Sequence, residues 1–321
     1  MDWYHIWLRT FAAFPVVFPI LLIVDAPHGR FNSSNSSIKA AQSKLNPVIS
    51  FFKYLWTSSA MNVNGTISWI IMELPSPVLL LRTYNSISPL SSPDTHIGIR
   101  VLIGFWLLHY LNRAIVSPLR MSSRSPTHII VPLVAIAFNT CNGSLNGAYI
   151  GSLAKAAAPL TVPLPVTFWL SMAGATLGLV GNIWHDEVLV QIRKSKPAPP
   201  NGSKDSAGTE NRPRYSIPYG GLYKLVSFPN YLCEWFEWTC FGLATSSLAH
   251  AIIVSSRSPG TAQALTSLGL GTGGWYIPPF VFVIAEISEM LPRAIRGHQW
   301  YQKKFGEEYP PKRRAVFPFL L

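Results

Sequence analysis

The segment YSIPYGGLYKLVSFPNYLCEWFEW, residues 215–238, is the part of the sequence that most constrains the fold. It lies between two long apolar runs and is much more polar than either. After a Gly-Gly turn, it places Asn230, Glu234 and Glu237 at the start of an apolar segment. Asn230 and Glu234 are four residues apart, so they share one face if the segment is helical. Carboxylates at the mouth of a membrane-like helix are costly unless a cavity, ligand or partner receives them, and the segment therefore predicts a binding site.

The composition indicates a helical membrane protein. Of the 321 residues, 49% are hydrophobic and only 12% are charged, whereas soluble domains carry roughly twice that charged fraction. Apolar runs recur along the chain at residues 6–24, 66–82, 98–117, 127–150, 164–190, 231–254 and 275–292. Several of them reach the ~20 residues that a helix needs to cross a bilayer. The sequence thus predicts an all-α, polytopic membrane protein with about seven transmembrane helices.

The net charge of +12 is distributed as membrane topology requires and does not indicate nucleic-acid binding. Basic residues concentrate in alternate loops, after the first, third and fifth apolar runs and in the C-terminal tail. By the positive-inside rule, these loops and the C-terminus are cytoplasmic and the N-terminus lies outside. An odd number of spans fits this arrangement, and no nucleic-acid partner is expected.

We divide the chain into an N-terminal span with its cytoplasmic loop, residues 1–65, and a larger membrane domain, residues 66–321. Within the larger part, residues 195–214 are poor in apolar side chains and rich in Pro, Gly, Ser and charge, which predicts a flexible cytoplasmic loop. His185 and the two acidic residues that follow it diverge around a helix, so we expect no metal site there.

Polar residues interrupt the second and third apolar runs. Glu73 is the only acidic residue in its run. An ionisable group that faced lipid would cost several kcal/mol, which favours a functional role over the alternative of a carboxylate at a helix end near water. Tyr110 and Arg113 end the third run and share one helical turn. A tyrosine–arginine pair is also ordinary at a membrane interface, so the residues alone leave both interpretations open.

A polar stripe runs along the end of the fifth apolar run. Asn182, Asp186, Leu189 and Arg193 fall at helical spacing and lie on one face. An amide and a carboxylate suit the ribose or nicotinamide amide of a nucleotide, and the arginine suits a phosphate. The alternative is a buried ion network between helices.

Motifs at both ends of the last third of the chain resemble those of the steroid 5α-reductase family. The turn Pro218–Leu222, the segment Asn230–Glu234 with Glu237-Trp238, and the C-terminal pattern from Arg293 to Phe319 carry the resemblance. It extends over roughly residues 66–321, and so identifies this part as a membrane catalytic domain. The resemblance implies an endoplasmic-reticulum enzyme that uses NADPH to reduce a 3-oxo-Δ4 steroid, with the cofactor at the cytoplasmic ends of the helices.

The resemblance also implies roles for individual residues. Glu73 and Tyr110 match the catalytic positions, and Trp69 and Met72 lie where the substrate is bound. The cofactor-binding residues implied are Arg113, Arg124, Asn182, Asp186, Arg193, Tyr215, Asn230, Glu234, Arg293 and Tyr301. Met72 stands where the family has a glutamine. A thioether cannot replace the donors and acceptor of an amide, so the polar surroundings of Glu73 must differ from the family's.

These residues suit the reduction of a lipophilic enone. Protonated Glu73 and Tyr110 would donate hydrogen bonds to the carbonyl oxygen and stabilise the enolate that forms as hydride reaches the β-carbon. Two enzyme alternatives are a trans-2-enoyl-CoA reductase and an isoprenylcysteine-type methyltransferase, which would bind S-adenosylmethionine. A non-catalytic lipid-binding protein is a further one. We expect a monomer whose partners are a lipophilic small molecule and membrane lipids.

Overall fold

The computed structural model describes residues 2–16, 59–121, 124–158, 160–195, 216–256, 258–270 and 276–321. The predicted loop, apart from its first residue, and Tyr215 lie outside these ranges. The all-α prediction is confirmed, since the strands in the described part are a single antiparallel pair of two residues each. These are β1 (Asn62–Val63) and β2 (Thr127–His128).

Ten α-helices, numbered here along the described residues, build the fold. They are α1 (Asp2–Ala12), α2 (Gly65–Glu73), α3 (Pro75–Ile87), α4 (Ile97–Tyr110), α5 (Ser117–Arg120), α6 (Ile130–Ala157), α7 (Val166–Lys194), α8 (Pro229–Ser256), α9 (Pro259–Leu265) and α10 (Pro278–Phe305). Short 3₁₀ segments cover Phe14–Val16, Ser59–Met61, Gly221–Lys224 and Gly306–Glu308, and π segments cover Leu111–Val116 and Thr266–Leu270.

Three stretches of the described chain are long and apolar enough to cross a membrane. They are Ile97–Arg120, which joins α4 to α5, and helices α7 and α8. Large apolar side chains on the outer face of α7, such as Leu170 and Leu177, are exposed, as expected for contact with lipid. The chain is therefore a helical membrane protein, while the count of seven spans stays a prediction.

The second apolar run forms two helices rather than one. Asn64 caps α2, because its side-chain oxygen accepts from the backbone N–H groups of Thr66 and Ile67, each at 3.0 Å. The helix ends at Glu73, because Pro75 lacks an N–H group and begins a new helix. This break leaves the Glu73 side chain at the end of a short helix inside the bundle, where it is 7% exposed.

Two glycine contacts bring pairs of helices close enough to build a site between them. A Cβ at Gly147 of α6 would lie 2.5 Å from the Leu80 carbonyl oxygen of α3. A Cβ at Gly178 of α7 would lie 2.7 Å from the Glu237 Cα of α8. Only glycine permits such approaches between backbones, which is a common device in membrane helices. The first contact fixes α6 against α3, the helix that begins two residues after Glu73, and the second fixes α7 against α8.

The core consists of a large cluster within the bundle and a smaller one at the C-terminal end. Rings from α4, α8 and α10 form the centre of the large cluster, where Trp106, Trp238, Phe241 and Phe282 contact each other. The smaller cluster joins the tail to α8 and α10 and contains Phe228, Trp235, Ala294, Tyr301, Tyr309 and Val316. The polar groups described next lie along the same helices as the large cluster.

Candidate active site

The beginning of α8 is bound to the end of α7 through polar side chains. Asn182 Nδ2 donates to the Asn230 carbonyl oxygen at 3.0 Å and to Glu234 Oε2 at 3.1 Å. Asn230 Nδ2 donates to Asp186 Oδ1 at 2.9 Å. The predicted stripe on α7 and the predicted pair on α8 therefore face each other. Of these groups, Asn230 Oδ1 is buried and has no hydrogen-bond partner among the described residues, so it can accept a hydrogen bond from a ligand.

Arg113 connects the polar side chains between α7 and α8 to Glu73 at the end of α2. Its Nη1 lies 3.2 Å from Glu234 Oε2, and its Nε lies 3.3 Å from Glu73 Oε1. The π segment Leu111–Val116 carries Arg113, and such wide turns often occur at functional sites. The arginine therefore stands between two carboxyl groups that come from different helices and are both almost completely buried.

Asn139 of α6 connects the two residues predicted to be catalytic. The Tyr110 hydroxyl donates to Asn139 Oδ1 at 3.3 Å, and Asn139 Nδ2 lies 3.4 Å from Glu73 Oε2. Asn142 Nδ2 donates to the Tyr110 hydroxyl oxygen at 3.2 Å. Glu73 and Tyr110 thus converge on one amide. The sequence did not predict that Asn139 contacts both residues.

A further buried pair adjoins the site. His109 Nδ1 lies 2.6 Å from Glu237 Oε1, and His109 Nε2 lies 4.0 Å from Glu234 Oε1. The Trp238 ring packs against the imidazole, with 4.5 Å between ring centroids. His109 was not among the predicted site residues. The sequence signal was weak, because a histidine next to a membrane-interface tyrosine has many structural uses.

The predicted substrate residues lie at the edge of the same group. The Trp69 indole Nε1 donates to the Arg113 carbonyl oxygen at 3.0 Å. The Arg124 guanidinium stacks over the Trp69 ring at 4.0 Å from its centroid. Burial, together with the nearby Arg113 charge, lowers the pKa of Arg124 to about 10, so it is charged at neutral pH. Its Nε has no hydrogen-bond partner in the described part of the chain. Met72 is buried, and its carbonyl oxygen accepts from Asn139 Nδ2 at 2.7 Å.

Of the other predicted cofactor residues in the described part of the chain, Arg193 lies on α7, and Arg293 and Tyr301 lie on α10. Arg193 Nη1 contacts Met121 Sδ at 2.8 Å. Arg293 is half-buried on α10. Tyr301 belongs to the smaller cluster, where its ring stacks on Tyr309 with 5.7 Å between centroids. Helical spacing placed Arg193 on the same stripe as Asn182, and its side chain reaches Met121, the residue that follows α5.

The Gly-Gly turn packs against α7. Both glycines have positive φ, 99° at Gly220 and 48° at Gly221, a conformation that other residues rarely adopt. The turn lets the Leu222 N–H donate to His185 Nε2 at 3.1 Å, while the Tyr223 hydroxyl donates to the His185 carbonyl oxygen at 3.2 Å. The turn therefore fixes the chain that enters α8 beside the helix that carries Asn182 and Asp186.

A buried arginine in the C-terminal tail was also missed. Arg313 is 2% exposed, and its guanidinium lies over the rings of Tyr219 and Tyr309 at 5.4 and 5.2 Å. Its Nε and Nη1 have no hydrogen-bond partner among the described residues. In the sequence it is one of three consecutive basic residues in a tail, a pattern that usually indicates exposed charge.

One family model and three related proteins place the chain among known proteins. A family model described as 3-oxo-5-alpha-steroid 4-dehydrogenase matches residues 125–256 and 261–321. The chain is 30% identical to 3-oxo-5-alpha-steroid 4-dehydrogenase 1 of Rattus norvegicus over 79% of each protein. It is 28% identical to the steroid 5-alpha-reductase DET2 of Solanum lycopersicum over 83% of this chain and 85% of that protein. An uncharacterized protein of Schizosaccharomyces pombe is 35% identical over 99% of both chains.

The structure defines an integral membrane protein with a buried polar site between its helices. The family match extends over more than half of the chain, and the relatives extend over most of it. The chain belongs to the 3-oxo-5-alpha-steroid 4-dehydrogenase family, an oxidoreductase family of steroid metabolism, which confirms the resemblance in its motifs.

Proposed function

We propose that the protein reduces the C=C bond of a lipophilic enone, a 3-oxo-Δ4 steroid or a steroid-like terpenoid, at the expense of NADPH. The relatives named above supply the substrate class. The observation that carries the proposal is the convergence of Glu73 and Tyr110 on Asn139. Two groups capable of donating to one carbonyl oxygen come from separate helices and meet inside the membrane domain.

Tyr110 and Glu73 would bind the substrate carbonyl oxygen. The Tyr110 hydroxyl turns from Asn139 to the carbonyl and keeps the hydrogen bond that it accepts from Asn142, which strengthens it as a donor. In this proposal Glu73, whose Oε1 lies 3.3 Å from Arg113 Nε, is the second donor to the same oxygen. These donors stabilise the negative charge that develops on oxygen during reduction.

The residues at the ends of α7 and α8 fit a nicotinamide nucleotide. The unpartnered Asn230 Oδ1 can accept from a ribose hydroxyl or a carboxamide, and Asp186 and Glu234 provide further acceptors beside it. Arg124 and Arg313 have unpartnered donors that suit phosphate oxygens. Bound NADPH supplies the hydride for the β-carbon. The chain's own contribution is to hold the nucleotide beside Arg113, whose other contact is Glu73.

A lipophilic substrate would reach the site from the membrane. Trp69 and Met72 precede Glu73 on α2 and would line the substrate's path to it. In this proposal the protein is a monomer in the endoplasmic reticulum membrane, as the family resemblance implies for the membrane, with its C-terminus and cofactor on the cytoplasmic side. The concentration of basic residues in alternate loops and in the C-terminal tail supports this orientation.

The first experiment compares the detergent-purified protein with its Glu73→Gln variant, using NADPH and a panel of 3-oxo-Δ4 steroids. Removal of one donor to a developing oxyanion costs about 10²–10³-fold in kcat. We expect a loss of that size in the variant and an NADPH dissociation constant within about twofold of the wild type.

Glu187→Gln is the matched control, because it removes a carboxylate from the exposed side of α7, where Glu187 pairs with Arg120. This variant should retain the wild-type turnover. Binding of S-adenosylmethionine in place of NADPH would contradict the proposal and support a methyltransferase.

A further inference from the structure

Helix α10 carries a buried carboxyl group that the mechanism above does not use. Glu286 is 8% exposed, and its Oε2 has no hydrogen-bond partner among the described residues. The ion pairs found within 4 Å in the described part of the chain do not include it. Burial of a polar group without a partner is costly, so the presence of this carboxyl group inside the bundle calls for an explanation.

The packing of α10 brings Glu286 to the level of the site. One turn before it, Phe282 packs against Trp106 of α4 and Trp238 of α8, at 6.3 and 5.2 Å between centroids. Glu286 follows Phe282 by four residues and so lies on the same face, one turn further on. One turn beyond Trp106 on α4 is Tyr110, and one turn before Trp238 on α8 is Glu234. The register therefore sets Glu286 opposite these two residues.

Electrostatic contacts agree with this register. Glu286 is close enough to act on the ionisation of Tyr110. Arg113, Glu234 and Glu237 in turn act on Glu286. The carboxyl group thus belongs to the same buried space as the residues that would hold the enone and the cofactor, although it shares no hydrogen bond with them.

The proposed reaction needs a group that none of these residues provides. Reduction of an enone adds a hydride at the β-carbon and a proton at the α-carbon, which lies only two bonds from the carbonyl oxygen. Glu73 and Tyr110 are directed at that oxygen, and Arg113 is engaged by two carboxyl groups. A proton donor for the α-carbon must therefore lie close to Tyr110 but point past the oxygen.

We propose that Glu286, as the neutral acid, donates the proton to the α-carbon of the substrate. This inference rests on the proposed function. After the β-carbon has received its hydride, the substrate is an enolate. Its α-carbon takes the proton from Glu286 Oε2, so that a C–H bond forms, an O–H bond breaks and the carbonyl is restored. Glu286 is left as a carboxylate and takes a proton from water before the next turnover, so the cycle consumes one hydride and one proton.

The test is the reduction of a 3-oxo-Δ4 steroid in D₂O by the wild type and by Glu286→Gln, with the product examined by NMR. The wild type should place deuterium on a single face of the α-carbon, because the donor is fixed. In the variant, turnover should fall by about 10²–10⁴-fold, the range typical of general acid catalysis. Its slow product should carry deuterium on both faces, because solvent then protonates the enolate. NADPH binding, measured by fluorescence, should not change.

Two further variants separate proton donation from a structural role. Glu308→Gln removes an exposed carboxyl group from the 3₁₀ segment that follows the same helix, and should retain addition to a single face. Glu286→Asp retracts the acid by one methylene and should give an intermediate rate, again on a single face. This variant keeps the test informative if Glu286→Gln does not fold.

Two outcomes overturn the assignment of Glu286 alone. One is a Glu286→Gln variant with wild-type turnover, and the other is a slow variant that still protonates one face. Absence of steroid product from the wild type would instead overturn the proposed function and, with it, this inference.

Discussion

Helices α4 and α8 pack through aromatic rings at one height in the bundle, the aromatic level, and through charged and amide side chains at another, the polar level. At one level, Trp106 of α4 meets Trp238 and Phe241 of α8 in an aromatic cluster, with centroids 4.9 and 5.5 Å apart. One turn away on α8, and two turns away on the segment that continues α4, Glu234 and Arg113 belong to a chain of ion pairs and amide hydrogen bonds. Packing alone accounts for the aromatic level.

The polar level has a different explanation. Burial of ion pairs costs desolvation that their attraction only partly offsets, and apolar side chains of similar volume often hold helices together equally well. Polar residues inside membrane helices usually mark a functional site. The aromatic level therefore holds the helices together, whereas the polar level contains the residues to which we assign binding and catalysis.

Of the substitutions considered, removal of Arg113 from the polar level should have the largest effect on stability and activity. An Arg113→Met variant leaves Glu73 and Glu234 without their shared partner, and loss of one member of a buried pair costs about 3–5 kcal/mol. We expect a loss of this size in the free energy of unfolding in detergent and no steroid reduction.

A compensating variant sharpens this prediction. The triple variant Arg113→Met, Glu73→Gln, Glu234→Gln removes the charges together, so it should recover most of the stability but not the activity. If the free energy of unfolding of Arg113→Met lies within about 1 kcal/mol of the wild-type value, the ion pairs are not buried as described.

Truncation in the aromatic level should affect stability without affecting the cofactor. Phe241 is completely buried, and Phe241→Ala should cost about 3 kcal/mol through the cavity that it leaves. NADPH affinity of the folded fraction should stay within about twofold, because the site lies at the other level. Phe236→Ala is the matched control on the same helix, since its side chain is 51% exposed. If both variants lose the same free energy of unfolding, the aromatic cluster does not hold the helices together as described.

The sequence predicted the helical class and much of the site, because those features depend on local patterns. Asn230 and Glu234 share the face of α8 that meets α7, as their spacing of four residues predicted. Asn182 and Asp186 meet them from α7 for the same reason. An isolated acid in an apolar run also pointed to Glu73, which the structure places in the bundle beside Arg113.

Other features could not be read from local patterns. The π segment that carries Arg113 depends on hydrogen bonding that no residue type specifies. The link from Asn139 to Tyr110 crosses 29 positions, and that from Asn139 to Glu73 crosses 66, so both follow from packing between helices. The burial of Arg313 likewise depends on the fold of the tail, which brings Tyr219 and Tyr309 to its two sides.

The smallest effect should come from an ion pair at the surface. Arg120 Nη2 lies 2.7 Å from Glu187 Oε2, but the two side chains are 47% and 26% exposed. Exposed pairs contribute about 0–1 kcal/mol, so Arg120→Ala should shift the free energy of unfolding by no more than that and leave turnover unchanged. The measurement is thermal unfolding in detergent beside Arg113→Met. A loss similar to that of Arg113→Met would remove the distinction between buried and exposed pairs.

The most direct test of the proposed function follows a labelled hydride. The purified wild type is incubated with NADPH that carries deuterium at the transferable position of the nicotinamide and with a 3-oxo-Δ4 steroid, and the product is examined by mass spectrometry and NMR. We predict one deuterium per product molecule at the β-carbon, and about 10²–10³-fold less of this product when Glu73→Gln is tested over the same time. A product without deuterium at that carbon, or no product from any steroid in the panel despite tight NADPH binding, would contradict the assignment of this site to steroid enone reduction.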